Sequence, residues 1–154
     1  MGTKLEGRQS AGHLTTRAAR LFVRSMDVRL KKLGLSSGQL PVFFALSSGE
    51  EMSQKDLVGF AAIEQPTMAA TLTRMERDGL VERQPDPHDG RGSLIRLTPL
   101  ALKKTRDVMA AVHAGNAEAL EGFSGAEKAL YLDMLRRIIA NLESPEAPST
   151  SRRL

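Results

Sequence analysis

Between Leu80 and Pro99 the chain cannot be helical throughout. Leu80 and Val81 open an extended run, and Pro85, Asp86, Pro87, Asp89, Gly90 and Gly92 crowd the stretch that follows. Prolines and glycines at that density break helix and ladder alike and mark a turn. Leu94, Ile95 and Leu97 begin a return strand, and Thr98–Pro99 reads as an N-cap followed by proline at the first helical position, where its missing N–H costs nothing. A two-stranded hairpin is therefore expected here, with helices on both sides of it.

Just upstream lie two short helical segments. Ser53 with Asp56 three residues on is close to a capping box, and predicts a short helix burying Leu57 and Phe60. A break near Ala62–Ile63 leads into EQPTMAATLTRMERDG, where Pro66 suits a first turn, Met68, Leu72 and Met75 form one apolar line, and Gly79 ends the helix. Two short helices joined by a tight turn outline a helix-turn-helix. A hairpin directly after it is a wing. Before it, Ser36 or Ser37 caps a helix through Leu40, Phe43, Phe44 and Leu46, with Pro41 in its first turn.

The flanks are long helices. From Ala11 to Leu33, Leu14, Ala18, Leu21, Ser25 and Val28 form one line and Phe22, Met26, Leu30 and Leu33 a second, up to Gly34. After the hairpin a helix carries Leu102, Met109, Val112, Leu120 and Phe123, with Gly115–Asn116 as a possible bend. Ser124 and Glu127 form a capping box for a last helix apolar on more than one side, through Leu130, Tyr131, Met134, Leu135, Ile138, Ile139 and Leu142. The terminal helices are too apolar for a chain this size, and need each other or a second copy. The fold expected is mainly α with a small β-hairpin wing, divided as residues 1–35 (dimerisation helix), 36–98 (winged helix-turn-helix domain), 99–143 (dimerisation helices) and 144–154 (a Pro- and Ser-rich disordered tail).

Charge and composition narrow the partners. The chain is 41% hydrophobic and 26% charged with a net charge of +4, ordinary for a soluble domain. The excess sits in residues 1–35, where Lys4, Arg8, Arg17, Arg20, Arg24, Arg29, Lys31 and Lys32 oppose only Glu6 and Asp27, whereas residues 64–96 carry five arginines against six acids. There is no cysteine, hence no disulfide, thiolate metal site or thiol nucleophile. The apolar run Pro41–Leu46 is far too short to span a membrane, no signal segment is visible, and Glu6 stands where a myristoylation motif needs Ser or Thr. A cytoplasmic protein with no membrane partner is expected. His13, His88 and His113 are too dispersed for a local metal motif. With no nucleophile motif and no Gly-rich phosphate loop, the chain reads as a non-enzyme with no metal and no cofactor.

The segments GLSSGQLPVFFAL, MSQKDLVGFAAIEQPTMAATLTRMERDGLVER and PDPHDGRGSLIRLTPLA resemble those of the MarR-family winged helix-turn-helix transcriptional regulators. The resemblance covers residues 33–101 strongly and is carried by the DGLVER exit and by the Asp-x-Arg wing followed by Leu-Thr. It implies a homodimer built by the terminal helices, with the recognition helix in the major groove of double-stranded DNA, the wing in the minor groove and a near-palindromic operator. Carried over by position, the recognition helix starts near Gln65 and presents Gln65, Pro66, Thr67, Ala70, Thr71 and Arg74. Thr67, Thr71 and Arg74 stand at +4 and +3 on a polar face. Arginine can grip guanine or phosphate, and threonine a base edge or thymine methyl. Ser53 and Gln54 match positions that touch the DNA backbone. Asp89 and Arg91 match the wing pair in which the aspartate steadies an arginine entering a narrow minor groove. The wing has Gly90 where most relatives have a second basic residue, and Ala101 replaces a glycine.

Members of the family commonly bind a small aromatic or anionic effector where the dimer helices meet the winged domain. His13, Arg17, Phe43, Phe44 and His113 fall at that junction, an arginine beside aromatics being suited to a carboxylate. The reading is thus a dimeric, ligand-responsive DNA-binding regulator, a repressor. The alternative is a winged-helix module that binds protein without DNA, which the acidic balance of residues 64–96 keeps open.

Overall fold

The computed structural model describes residues 7–144. Helix α1 (Ala11–Leu30) starts at Ser10, whose side chain accepts the His13 N–H. A 3-10 turn (Lys31–Leu33) closes it at Gly34, φ 73°, a left-handed cap that glycine adopts without a Cβ clash. The two apolar lines of α1 do different work. Met26 and Leu30 enter the core, while Leu14, Leu21 and Val28 remain exposed. A second 3-10 turn (Ser37–Gln39) leads into α2 (Leu40–Leu46), with Pro41 in its first turn. The Asp27 carboxylate accepts the Ser37 N–H at 2.7 Å and ties this turn to α1. Phe43 and Leu46 are wholly buried.

Helix α3 (Gln54–Ala61) begins at Ser53, whose hydroxyl accepts the Asp56 N–H. It ends at Ala62 in a left-handed conformation, φ 49°, and that turn swings the chain into α4 (Gln65–Arg77). Leu57 is buried as expected, but Phe60 is 56% exposed. Val58 and Ala61 complete the core face with Leu57, and Phe60, one residue from Ala61, is rotated about 100° from it and off that face. Met68, Leu72 and Met75 anchor α4 in the core. Gly79, φ 70°, ends the helix, and the Leu80 N–H returns to the Met75 carbonyl at 2.8 Å.

The wing strands β2 (Val81–Pro85) and β3 (Ser93–Leu97) pair antiparallel with Glu82 opposite Arg96. The expected two-stranded hairpin has a third member, β1 (Met52–Ser53), on the other side of β3, in the order β1-β3-β2. Two residues are too few to show an alternation in sequence. Thr98 then joins sheet to helix: its hydroxyl donates to the Gly79 carbonyl at 2.6 Å and accepts the Ala101 N–H at 3.2 Å. One side chain closes the exit of α4 and opens α5 (Pro99–Ala119).

The buried line of α5 is Ala101, Val108 and Gly115, while Leu102 is exposed and Met109 and Val112 only partly buried. A Cβ on Gly115 would stand 2.8 Å from Met26 Cε, so this glycine provides clearance for the side chain from α1. Lys104 Nζ donates to the Leu33 carbonyl at 3.1 Å, supplying a donor at the end of the first helical segment.

The chain divides into two compact units, the first ending at Asn116 and the second starting at Ala117. In the second, α6 (Gly125–Glu143) opens with the expected capping box: Ser124 Oγ accepts the Glu127 N–H and Glu127 Oε2 the Ser124 N–H. The sequence pattern led to an expectation of burial on more than one side, yet no residue of α6 is buried in the single chain. Leu130, Met134, Ile138 and Leu142 form an exposed i, i+4 line. Of the tail expected to be disordered, residues 145–154 lie outside the described residues.

Candidate nucleic-acid interface

Two helix starts meet at the head of the helix-turn-helix. Gln54, first in α3, donates from Nε2 to Oε1 of Gln65, first in α4, at 3.1 Å. The amide pair fixes one helix start against the other. Ser53, beside it, both caps α3 and donates its hydroxyl proton to Asp56 Oδ2 at 2.7 Å.

Along α4, Gln65, Pro66, Thr67, Ala70 and Arg74 are exposed. Thr71 is not: it is 7% exposed, the one polar residue buried among the described residues. Its place on the open polar face is therefore corrected. The reason is helical geometry. Thr71 lies four residues before Met75 and three after Met68, on the flank of the apolar line instead of opposite it.

The wing tip is held by two carboxylates. Asp86 Oδ1 accepts the His88 N–H at 2.8 Å and Asp89 Oδ1 the Arg91 N–H at 3.1 Å. The Asp86 N–H reaches the Gly92 carbonyl, and the Gly92 N–H the Asp89 carbonyl. A Cβ on Gly92 would come within 3.2 Å of Asp89 Oδ2, so the tip packs tightly around that glycine. Asp89 thus engages the backbone of Arg91 rather than its guanidinium, as side chains of this type do in turns.

The charges sort in a way the sequence balance does not convey. Arg77 pairs with Asp78 at 2.9 Å, Arg83 with Glu76 at 3.3 Å, and Arg96 with Glu82 at 2.6 Å and Glu51 at 3.4 Å. The hydrogen bond to Asp78, then its charge, raise the Arg77 guanidinium above its ordinary value. Of the five arginines in residues 64–96, Arg74 and Arg91 have no ion pair among the described residues. The hairpin register carried part of this signal, since Glu82 and Arg96 are direct cross-strand neighbours.

The residues expected to line an effector pocket scatter by burial. His13 and Arg17 on α1 and His113 on α5 are exposed, and Phe44 is partly open. Phe43 has no exposed surface, so it is a core residue and leaves the set. Among the described residues no cluster of His, Cys, Asp or Glu could hold a metal ion, and no helix is long and apolar enough to cross a membrane.

A short helix, a turn at Ala62, a second helix exposed at its start and a sheet hairpin with a tied tip together define a winged helix-turn-helix. Residues 33–92 match the MarR family model. The chain is 28% identical over 127 residues to the HTH-type transcriptional regulator YwoH of Bacillus subtilis, covering 82% of this chain and 92% of that one. Among solved structures it resembles the PcaV regulator of Streptomyces coelicolor in complex with its natural ligand (27% identity, TM-score 0.79, 88% and 95% coverage). It also resembles BpsR of Bordetella bronchiseptica, whose DNA binding is regulated by 6-hydroxynicotinic acid (25% identity, TM-score 0.79, 86% and 94% coverage). The chain is similar to the MarR-family winged helix-turn-helix transcriptional regulators, with the family match confined to residues 33–92.

Proposed function

We propose that the chain acts as a homodimeric, ligand-responsive repressor that binds a near-palindromic operator. Two α4 helices would enter successive major grooves through Gln65, Pro66, Thr67, Ala70 and Arg74. Arg91 would enter the flanking minor groove, and Ser53 and Gln54 would lie against the DNA backbone. The observation that carries this reading is the sorting of arginines: three are neutralised by acids within the domain, and the two without an ion pair are those on the α4 face and at the wing tip. An arginine with no internal partner can displace condensed counterions from DNA.

Dimerisation is supported by the apolar surface that one chain leaves open. Leu14, Leu21 and Val28 on α1 are exposed, and so, on α6, is the line Leu130, Met134, Ile138 and Leu142; large exposed apolar side chains in such lines mark interaction surfaces. A two-fold dimer presents two reading heads and so calls for matched half-sites. A ligand acts by favouring one spacing of those heads over another. The relatives with a natural ligand and with DNA binding regulated by 6-hydroxynicotinic acid support this, with His13, Arg17, Phe44 and His113 as the residues to probe.

The test combines sedimentation with fluorescence anisotropy on duplexes from the chain's own upstream region. A dimer whose affinity falls steeply with salt is the expected result. A monomer, or binding indifferent to salt, would overturn the proposal.

A further inference from the structure

The sequence holds two Asp–Gly pairs, Asp78–Gly79 and Asp89–Gly90, and the fold treats them oppositely. In such a pair the glycine amide nitrogen can attack the aspartate Cγ, because glycine has no Cβ to shield it. We propose that Asp89–Gly90 at the wing tip is a self-modification site, where the folded protein converts Asp89 to isoaspartate, while Asp78–Gly79 is protected.

The pairs differ first in the nucleophile. The Gly90 N–H makes no hydrogen bond among the described residues, whereas the Gly79 N–H donates to the Glu76 carbonyl at 3.0 Å. They differ next in the electrophile. Asp89 Oδ1 accepts the Arg91 N–H at 3.1 Å, and a carboxyl bonded to the N–H two residues on is folded back over the peptide between, here that of Gly90. Both oxygens of Asp78 are instead drawn to the Arg77 guanidinium, at 2.9 and 3.3 Å. They differ last in freedom to rearrange. Asp89 and Gly90 are exposed in a turn, while Gly79 holds the left-handed conformation, φ 70°, that ends α4. Asp86 supplies an internal control. Its Oδ1 makes the same kind of contact, to the His88 N–H at 2.8 Å, but the next residue is Pro87, whose nitrogen carries no proton to lose.

The chemistry needs no co-reactant but water. The Gly90 nitrogen bonds to Asp89 Cγ, and the carboxyl OH leaves with the displaced amide proton as water, giving a cyclic imide. Water then adds to either imide carbonyl. Addition at Cγ breaks the new C–N bond and restores Asp89. Addition at the main-chain carbonyl breaks the original peptide bond, and the chain then runs through Cβ and Cγ. The product keeps one carboxylate, so the charge is unchanged, but the backbone gains a methylene. The Asp89 carbonyl that accepted the Gly92 N–H becomes part of the carboxylate, and the tie to the Arg91 N–H is lost with the side chain that made it. Arg91 is thereby displaced, and operator affinity falls as the protein ages. That consequence rests on the DNA-binding reading above; the modification itself does not.

The test ages the full chain at physiological temperature in heavy-oxygen water, then separates its tryptic fragments by liquid chromatography and mass spectrometry. Asp86 and Asp89 fall together in fragment 84–91, and Asp78 in fragment 78–83. Expected is a second form of fragment 84–91, shifted in retention, carrying heavy oxygen and accepting a methyl group from an isoaspartate methyltransferase at position 89. Fragment 78–83 should stay unlabelled until the chain is unfolded in denaturant, when both fragments react. A Cβ at Gly90 meets nothing within 4 Å, so Gly90→Val should fold, shield the nitrogen and abolish the product. No product at Asp89, a product at Asp86, or equal labelling of the two fragments in the folded protein would overturn the proposal. Aged wild type should lose operator binding in proportion to its isoaspartate fraction, and Gly90→Val aged beside it should keep the affinity it had when fresh. Isoaspartate with unaltered duplex affinity refutes the effect on the wing. Isoaspartate in a chain that binds no duplex even when fresh overturns the DNA-binding reading alone.

Discussion

Replacing Arg91 by alanine separates charge from architecture at the wing tip. The turn around it is held by main-chain contacts: Asp89 accepts the Arg91 N–H, and Asp86 and Gly92 close the loop. Alanine keeps that N–H, so the fold and the melting temperature should not change. What disappears is one unpaired positive charge per chain, two in a dimer. Each charge that releases counterions from duplex DNA contributes about 0.9 to the logarithmic salt slope, so the pair contributes about 1.8. Between 50 and 200 mM salt that amounts to roughly a 12-fold narrowing of the gap between variant and wild type. Anisotropy titrations of both proteins on one duplex at four salt concentrations measure it. A deficit of the same size at every salt concentration would refute the charge argument, and an unaltered affinity would remove Arg91 from the interface. Asp89→Ala is the control: it deletes the acceptor and should loosen the tip as well as weaken binding.

Arg74→Ala should weaken operator binding and flatten the preference among single-base operator variants, each bidentate base contact being worth about 1–3 kcal/mol; an undiminished preference would assign Arg74 to backbone contact. Gly115→Leu should lower the melting temperature, because even a Cβ meets Met26 Cε at 2.8 Å and overpacking costs about 1–3 kcal/mol; Met26→Ala in the same chain should restore part of it. Ser53→Ala removes the cap of α3 at a cost of about 1 kcal/mol, read by thermal unfolding without DNA. Leu130→Glu with Ile138→Glu should shift sedimentation toward monomer, and a dimer unaffected by both would exclude the α6 face from self-association.

The order of elements was legible because each boundary is a local chemical event. Gly34 and Gly79 take left-handed conformations, Ser53 and Ser124 cap, and Pro99 opens a helix after Thr98. None of these needs a distant partner. What failed was orientation within a helix. Phe60 was grouped with the buried Leu57 and Thr71 with the polar Thr67–Arg74 face, and each lies on the other side. For Thr71 the spacing to Met68 and Met75 already placed it beside the apolar line, so its misplacement was a matter of reading. For Phe60 the decision depends on which face of an eight-residue helix the sheet and α4 leave open, and no local signal encodes that.

The charge balance shows the same division between local and assembled information. Counting residues 64–96 gave one more acid than base, which argued weakly against DNA and kept a protein-binding module in view. Folding changes what the count means. Glu76, Asp78, Glu82 and Glu51 are matched to Arg77, Arg83 and Arg96 across turns and strands, and such exposed pairs contribute little to stability. Their effect is to leave Arg74 and Arg91 as the two arginines of residues 64–96 without an ion pair among the described residues, on a surface that is otherwise acidic. On the proposed reading, a surface of that kind would hold DNA weakly where it does not fit and more tightly where the two arginines reach their grooves. Low non-specific affinity is then a property of the same arrangement that gives specificity, and neutralising Glu82 by Glu82→Gln, which frees Arg96 from its 2.6 Å partner, should raise affinity for unrelated duplex more than for the operator.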